Sequence, residues 1–271
     1  MRLTVLGCSG SVNGPGAPCS GYLVQADGFD PVLIDCGHGV FGELLAHASP
    51  NDVAVLLSHL HADHCLDVAA MLVWRRWAPE PAKGRSMLYG PPGTAVRIGA
   101  ASSEYPGEID DISDTYDVRE WVDREVIEVN GLVVEPFKMS HPPATFGLRI
   151  TDPDGAVLVY SGDTGICDAA VELARDADLF LCEASWTHAP GERPLDLHLS
   201  GVEAGQIATR AAVRSLALTH IVPWSDADDI LDEAREEYRG PLQLVHQGQV
   251  IEVRAPFNAK AERRGLRLPR F

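Results

Sequence analysis

The sequence predicts an α/β fold in which two β-sheets are packed between layers of helices. About a dozen short runs of β-branched and other apolar residues, each typical of a buried strand, recur along the chain. The early runs are grouped like hairpins, whereas helical patterns separate the later ones, which favours two sheets over one. The 271 residues are 45% hydrophobic and 23% charged, a composition that is typical of a globular domain and excludes disorder for most of the chain.

Each predicted strand is a run in which apolar residues are continuous or alternate with polar ones. The runs are Leu3–Leu6, Tyr22–Gln25, Val32–Ile34, Val53–Leu57, Met87–Tyr89, Leu132–Phe137, Phe146–Ile150, Ala156–Tyr160, Leu179–Cys182, Leu216–Thr219, Leu242–Val245 and Val250–Val253. The predicted helices cover 64–77, 92–103, 168–176, 201–213 and 226–238.

The helix over 64–77 has the clearest pattern. Apolar residues recur in it every three or four positions, at Leu66, Ala70, Val73 and Trp77. This spacing puts them on one helix face. We expect the tryptophans at the end of this helix to pack in the core and Arg75 and Arg76 to be solvated near its C-terminus, where cations are favoured.

Charge is distributed unevenly along the chain. The 22 Lys and Arg residues against 39 Asp and Glu residues give a formal net charge of −17. Six of the basic residues but only one acidic residue lie in 254–271, so residues 1–253 carry −22. We expect 1–253 to form a single domain and 254–271 to be a basic C-terminal tail. A body this acidic repels a long nucleic acid, whereas a small substrate remains compatible with it.

Nothing in the sequence predicts a membrane segment or export. No uncharged apolar run approaches the ~18 residues that a membrane-spanning helix needs, and the apolar start is too short for a signal peptide. The cysteines at 8, 19, 36, 65, 167 and 182 form no Cys-x-x-Cys pair, and a chain of this length needs no disulfides. We therefore expect reduced thiols and a cytoplasmic protein.

Residues of metal-binding type are most concentrated between positions 58 and 64, in the sequence Ser58-His59-Leu60-His61-Ala62-Asp63-His64. In an extended backbone His59 and His61 point to the same side, and the turn into the next helix lets Asp63 and His64 project together to a neighbouring position. Imidazole and carboxylate ligands suit Zn²⁺ and, with more oxygen ligands, Mn²⁺ or Fe. The segment therefore predicts two adjacent metal positions.

Three further candidate ligands stand alone, each just past the end of a predicted strand. They are His141, Asp163 and His220. Polar side chains at the ends of neighbouring strands converge on a common rim. The expected assignment is His59, His61 and His141 to one metal, Asp63, His64 and His220 to the other, and Asp163 as the bridge between them. Cys65 could add a thiolate, but packing under the helix is the simpler interpretation.

The segment His59-Leu60-His61-Ala62-Asp63-His64 resembles the signature of the metallo-β-lactamase superfamily. Its other landmarks are matched in order by Leu3–Gly10, Leu33-Ile34-Asp35-Cys36-Gly37, Ser140-His141, Ser161-Gly162-Asp163-Thr164 and Thr219-His220. The resemblance implies a four-layer αββα sandwich with a binuclear metal centre. It also implies that Asp35 holds a ligand imidazole in its tautomer, although Asp35 could instead cap the glycine turn that follows it.

Two further segments resemble the ribonuclease Z and class II cyclic-nucleotide phosphodiesterase branch of that superfamily. They are Leu181-Cys182-Glu183-Ala184-Ser185 and Leu197-His198-Leu199-Ser200. The tRNA-processing members carry an extended arm between the equivalents of His141 and Asp163, whereas the 22 positions here are filled by two predicted strands and their turn. The resemblance and the acidic body therefore imply a small phosphodiester substrate, and the chain is most similar to the actinobacterial cyclic-nucleotide phosphodiesterases.

The reaction implied by this resemblance is hydrolysis of a 3′,5′-cyclic nucleotide, cyclic AMP foremost, by a hydroxide held between two metal ions. Asp63 is the candidate proton acceptor. His198 would stabilise the transition state or protonate the departing ribose oxygen, and Glu183 would orient His198 or tune its pKa. The alternatives are structural: His198 as a contact at the start of a helix capped by Ser200, and Glu183 as a buried carboxylate at a strand end.

Other functions remain compatible with the sequence. They are a ribonuclease Z-like tRNA 3′-end endonuclease, a hydrolase of another ester such as a thioester or lactone, and a non-catalytic metal-binding module. The acidic segment 104–128 predicts either a lid or the contact of a homodimer. The sequence leaves the choice between these open.

Overall fold

Two seven-stranded β-sheets form the centre of the computed structural model, which describes residues 1–188 and 196–256. The first sheet has the strand order β14-β1-β2-β3-β4-β5-β6. Its strands are β1 Arg2–Gly7, β2 Gly21–Gln25, β3 Val32–Ile34, β4 Ala54–Leu56, β5 Ser86–Gly90, β6 Tyr116–Glu120 and β14 Val250–Glu252. The pairs from β3 to β6 are parallel, and the pairs from β14 to β3 are antiparallel.

The second sheet also has seven strands, of which one half is paired in parallel and the other half antiparallel. Its strand order is β13-β12-β11-β10-β9-β8-β7. The strands are β7 Ile127–Val129, β8 Leu132–Lys138, β9 Phe146–Thr151, β10 Val157–Tyr160, β11 Leu179–Glu183, β12 Leu216–Thr219 and β13 Leu242–Leu244. The pairs from β10 to β13 are parallel and the remaining pairs are antiparallel. The parallel halves require crossover connections, which the helices provide.

Helices cover the outer face of each sheet. Those on the first sheet are α1 Val40–Leu44, α2 Ala62–Cys65, α3 Asp67–Trp77 and α4 Thr94–Ser102, and those on the second are α5 Asp168–Ala174, α6 Gly201–Arg210 and α7 Ala227–Glu237. One apolar core lies between the sheets, and a further core lies between each sheet and its helices. The molecule is therefore a four-layer αββα sandwich, and the predicted α/β fold of two sheets between helical layers is confirmed.

Two strands lie within or at the end of the acidic segment 104–128, where none was predicted. β6 occupies one edge of the first sheet and β7 one edge of the second, and a 3₁₀ turn at Ile112–Asp114 precedes β6. The apolar pattern missed β6 because an edge strand has little surface to bury and commonly carries charges, here Asp117, Arg119 and Glu120. Much of the segment is thus part of the sandwich.

Helix α3 is rotated relative to the prediction from its sequence pattern. Val68, Met71 and Leu72 are buried, whereas Val73 is 57% and Trp77 78% exposed. Arg75 is buried as well, because its guanidinium donates hydrogen bonds to the carbonyl oxygens of the nearby loops, at Pro50, Asn51 and Gly84. The expectations that Trp77 lies in the core and that Arg75 is solvated are therefore wrong.

Three smaller predictions concern thiols, membranes and the tail. All six cysteines are free thiols. Among the described residues no helix has the length and apolar character needed to cross a membrane. The predicted basic tail lies outside the described residues, apart from 254–256.

Candidate metal centre

The segment after β4 presents its polar side chains in two directions, as the sequence predicted. His61 has an extended backbone, and His59 Nε2 is 3.1 Å from His61 Nδ1. His61 then precedes the short helix α2, which carries Asp63 and His64. His59 and His64 are fully buried and Asp63 nearly so, which is unusual for polar side chains unless they have partners.

The second sheet contributes one candidate ligand at the end of each of three strands. His141 follows β8, Asp163 follows β10 and His220 follows β12. His220 has a φ of 59°, a left-handed conformation that is uncommon for a non-glycine residue and is typical of functional sites. The strand ends of both sheets therefore meet at one rim of the sandwich.

The structure brings these side chains together in the expected groups. One cluster contains His59, His61, His141 and Asp163, and a second contains Asp63, His64 and His220. Asp163 lies between them: its carboxylate oxygens are 3.5 Å from His59 Nε2, 3.4 Å from His64 Nε2 and 3.4 Å from His220 Nε2. The grouping agrees with the sequence-based assignment, and the role of these residues as metal ligands stays a prediction.

The donor atoms of this centre suit divalent metal ions. His64 Nε2 lies 3.1 Å from His220 Nε2, and His141 Nε2 lies 3.4 Å from His61 Nδ1, so imidazole nitrogens face common points. Asp163 Oδ1 is buried and accepts no hydrogen bond from the described residues. Convergent imidazoles around a carboxylate with a free oxygen are the nitrogen and oxygen set that such ions require.

Burial and neighbouring charges set the protonation of the centre. Burial lowers the pKa of His59 well below its usual value, and the neighbouring His64 lowers it further, so His59 is a neutral imidazole. Burial opposes ionisation of Asp63, but hydrogen bonds from His220 and His64 lower its pKa. For Asp163 burial acts in the same opposing direction, and the nearby imidazoles still lower its pKa well below normal. Neutral imidazoles and ionised carboxylates are the forms that bind metals, so His59, Asp63 and Asp163 are already in the required form. Burial lowers the pKa of His64, but Asp163 and Asp35 outweigh it and raise that pKa well above its usual value, so His64 has to lose a proton when a metal binds.

Asp35 supports the centre from beneath. Its carboxylate accepts hydrogen bonds from Ser58 N at 2.7 Å, Ser58 Oγ at 2.7 Å and Tyr160 OH at 2.9 Å, and it lies 2.8 Å from His64 Nδ1. The contact with His64 fixes which ring nitrogen faces the cluster. Of the two interpretations left open for Asp35, the structure therefore favours orientation of an imidazole over capping of the glycine turn.

His198 and Glu183 form a buried pair beside both clusters. His198 Nδ1 is 3.1 Å from Glu183 Oε1 and 3.8 Å from Asp163 Oδ2. Burial disfavours the charged imidazole, but the Glu183 carboxylate outweighs it and raises the pKa of His198 to about 9. Glu183 is held in turn by Thr164 N at 2.8 Å and Ser185 Oγ at 3.1 Å. A protonated imidazole is therefore positioned next to Asp163.

Several supporting residues gave no signal in the sequence. Ser185 Oγ lies 2.9 Å from His220 Nδ1, Ser11 N donates to Asp63 Oδ2, and the Trp186 ring packs edge-on against His198 at 5.2 Å. A lone serine or tryptophan in a loop is too common to single out. Only Ser185 could have been found, because it follows Glu183 by two residues.

The remaining histidines and Cys65 lie outside these clusters. Cys65 is buried in the core between the first sheet and its helices, in agreement with the packing interpretation. His47 is exposed. Ser200 caps α6 with a reciprocal pair of hydrogen bonds to Glu203, as the sequence suggested for this helix start.

A four-layer sandwich with histidine and aspartate side chains gathered at its strand ends defines the metallo-β-lactamase class of hydrolases. The chain belongs to this superfamily, since the family model described as β-lactamase superfamily domain matches residues 31–221. The uncharacterized protein ML1173 of Mycobacterium leprae is 57% identical over 256 residues, which cover 94% of this chain and 90% of that protein.

Two other relatives confirm the branch and the fold. Ribonuclease Z of Myxococcus xanthus is 30% identical over 314 residues, covering 93% of this chain and 98% of that protein. The crystal structure of the metallo-β-lactamase-fold protein YhfI from Bacillus subtilis superposes with a TM-score of 0.81 at 24% identity, covering 92% of this chain and 98% of the other. The predicted likeness to the ribonuclease Z branch is confirmed, and the protein is a metallo-β-lactamase-fold hydrolase.

Proposed function

We propose that this hydrolase cleaves a small phosphodiester with the help of two divalent metal ions, and that its substrates are 3′,5′-cyclic nucleotides such as cyclic AMP. The observation that carries the proposal is the pair of clusters on either side of Asp163, whose carboxylate lies 3.4 Å from both His64 Nε2 and His220 Nε2 of the second cluster, with the protonated His198 beside them. A cyclic phosphodiester needs both features, because charge builds up on its phosphoryl oxygens while its ribose oxygen leaves and requires a proton.

The metal ions would be held by the two groups of side chains already described. His59, His61 and His141 would hold one ion, Asp63, His64 and His220 the other, and Asp163 would contact both. With five imidazoles, two carboxylates and no thiolate in the two clusters, zinc is the expected metal, with manganese or iron as alternatives. When bound, such ions supply Lewis acidity that activates water and stabilises negative charge on phosphate.

The protein's own residues would manage the protons. His198 is protonated at neutral pH because of Glu183, so it can donate a proton to the departing ribose oxygen. Glu183 acts as a positioning residue, since its carboxylate holds His198 Nδ1 and is fixed by Thr164 and Ser185. Asp63 can accept a proton from the attacking water through Oδ1, because Ser11 N and His220 Nε2 both contact Oδ2.

Three features support a small substrate over a long nucleic acid. The connection from His141 to Asp163 consists of β9, β10 and their short turns, so it contains no arm. The alignment with ribonuclease Z extends over 314 positions although this chain has 271 residues, so that enzyme carries insertions which are lacking here. The −22 charge of residues 1–253 opposes binding of a polyanion.

The free thiols agree with the cytoplasmic location that we propose for the protein.

The test is a substrate panel measured with protein of known metal content. We expect hydrolysis of cyclic AMP or cyclic GMP at a kcat/KM at least about tenfold above that for a precursor tRNA, a thioester and a lactone, with two metal equivalents per chain. The matched variants are His198→Gln, which should lose turnover, and His47→Gln, an exposed histidine whose loss should have no effect.

Each other result assigns a different function. Faster cleavage of precursor tRNA than of small diesters would identify a tRNA 3′-end endonuclease, and turnover of a thioester or lactone alone would identify a hydrolase of that bond. Metal binding without turnover of any ester would identify a metal-binding module. If metal-replete protein hydrolyses no phosphodiester of the panel, the proposal is overturned.

A further inference from the structure

Trp186 lies beside His198 but has no part in the proposed proton transfers. It follows the end of β11 by three residues, and its backbone forms a parallel β-bridge with Ser200. A backbone hydrogen bond from Ser185 N to Leu199 O, at 3.1 Å, joins the same two segments. The stretches that carry Trp186 and His198 are therefore fixed side by side.

The ring of Trp186 packs against that of His198. The two ring centres are 5.2 Å apart and the rings are almost perpendicular, at 83°. The His198 ring also lies 5.3 Å from those of His141 and His220, which belong to the two metal clusters. Because Glu183 occupies Nδ1 of His198, the nitrogen left for a substrate is Nε2. The indole therefore borders the group that would protonate the leaving oxygen.

The indole nitrogen of Trp186 is a buried donor without an acceptor. Its Nε1 atom is shielded from solvent and finds no hydrogen-bond partner among the described residues. A buried tryptophan normally pairs this N–H, as Trp121 does with Leu57 O at 2.8 Å. An unpaired buried donor is destabilising, and at a catalytic site the substrate can supply the missing partner. Because an indole N–H can only donate, that partner has to be an acceptor such as an oxygen.

We propose that Trp186 Nε1 donates a hydrogen bond to the 2′-hydroxyl of the substrate's ribose and so selects ribonucleotides, an inference that rests on the proposed function. When the 3′ bond of a 3′,5′-cyclic nucleotide breaks, the oxygen that takes the proton is bonded to C3′. The 2′-hydroxyl stands on the neighbouring carbon, so a donor next to His198 is suited to bind it. The phosphoryl oxygens, by contrast, would lie at the two metal clusters.

The test measures kcat/KM for cyclic AMP and for its 2′-deoxy analogue with metal-replete protein. We expect the native protein to prefer cyclic AMP by at least about tenfold, because a site built to bind a hydroxyl rejects an analogue that lacks it. Trp186→Phe keeps an aromatic ring but removes the N–H, so it should lower kcat/KM about tenfold for cyclic AMP and leave that for the deoxy analogue within about twofold of native. Trp77→Phe is the matched control, because Trp77 is 78% exposed at the far end of α3, and it should keep the native preference.

Two further measurements separate this role from a structural one. The metal content of Trp186→Phe and the fall of its kcat near pH 9 should equal those of the native protein, since Glu183 still holds His198. A loss of metal, or an equal loss of activity on both nucleotides, would identify Trp186 as a packing residue and overturn the proposal. Native protein that hydrolyses the two nucleotides equally well would also overturn it. Failure to hydrolyse either nucleotide would instead overturn the proposed function, and this inference with it.

Discussion

The two sheets contribute to the candidate metal centre in different ways. The first sheet supplies four side chains from a single stretch of six residues, 59–64, after β4. The second sheet supplies His141, Asp163, Glu183 and His220 from the ends of four different strands. The first contribution depends on local spacing and on one supporting carboxylate, Asp35, whereas the second depends on the packing of a whole sheet.

Because of this difference, a substitution in the first sheet should disturb several site residues together, whereas one in the second sheet should disturb mainly one. The side chains of 59–64 share the support of Asp35 and Ser58, so a change beneath them alters several at once. Each residue of the second sheet is fixed by its own strand, but Asp163 touches both clusters and the His198–Glu183 pair. Substitutions in the two sheets should therefore have separable effects.

The largest effect is expected for Asp163→Ala. Because Asp163 lies in contact with both clusters, its loss should remove affinity for both metal ions and lower kcat/KM by at least about 10³. Metal analysis after dialysis, together with kinetics, checks this. The comparison variant is His61→Ala, which belongs to one cluster only and should retain about one metal per chain. Equal metal contents in the two variants would contradict the shared role of Asp163.

A slightly smaller loss is expected for His198→Gln. Removal of the proton donor should lower kcat by about 10²–10⁴ while the metal content stays unchanged. The pKa of His198 is raised to about 9, so its charged form persists through neutral pH and is lost as the pH rises through that value. The kcat of the native protein should therefore fall as the pH rises through about 9, and the kcat of the variant should show no such fall. A native profile that stays flat to pH 10 would argue against proton donation by His198.

Asp35→Asn tests the support beneath the first sheet. The amide keeps the size of the side chain but loses the charge that holds His64 Nδ1, so metal affinity should fall by about 10–100-fold. Competition with a chelator measures this affinity. Tyr160→Phe, which removes one of the hydrogen bonds to Asp35, should have a clearly smaller effect. Identical losses in the two variants would mean that Asp35 acts only through packing.

The smallest effect is expected for Ser185→Ala in the second sheet. Its hydroxyl contacts Glu183 Oε2 and His220 Nδ1. A hydrogen bond to a carboxylate contributes about 1.5–3 kcal/mol and a neutral one about 1 kcal/mol, but Thr164 and His198 still hold Glu183, so activity should fall by about tenfold. Kinetics at saturating metal would measure the contact with Glu183, and metal affinity would measure the contact with His220. A loss as large as that of His198→Gln would assign Ser185 a direct role in the reaction.

The sequence predicted the strands of the sheet interiors and the edge strands β13 and β14, but it missed β6 and β7 at the opposite edges. Strands such as β3 and β11 are buried on both faces, so their residues are almost all apolar and stand out in any pattern. The edge strand β6 carries charges because it borders solvent, and its pattern is that of a loop. Helix α3 was misjudged for a different reason, because Ala70, Val73 and Trp77 have the spacing of a core face although the fold leaves them exposed.

For the candidate site, the sequence alone determined the chemistry of the donors and the local spacing that sorts His59, His61, Asp63 and His64 into pairs. Backbone geometry over a few residues is nearly independent of the rest of the chain, which is why such a motif can be read directly. Only the tertiary structure decided that Asp163 lies between the two groups and that Glu183 raises the pKa of His198. It also decided that Tyr160 contacts Asp35, that Ser185 contacts Glu183 and His220, and that Trp186 packs against His198. Those contacts join residues distant in the chain, and they exist because two sheets pack face to face with their strand ends along one rim.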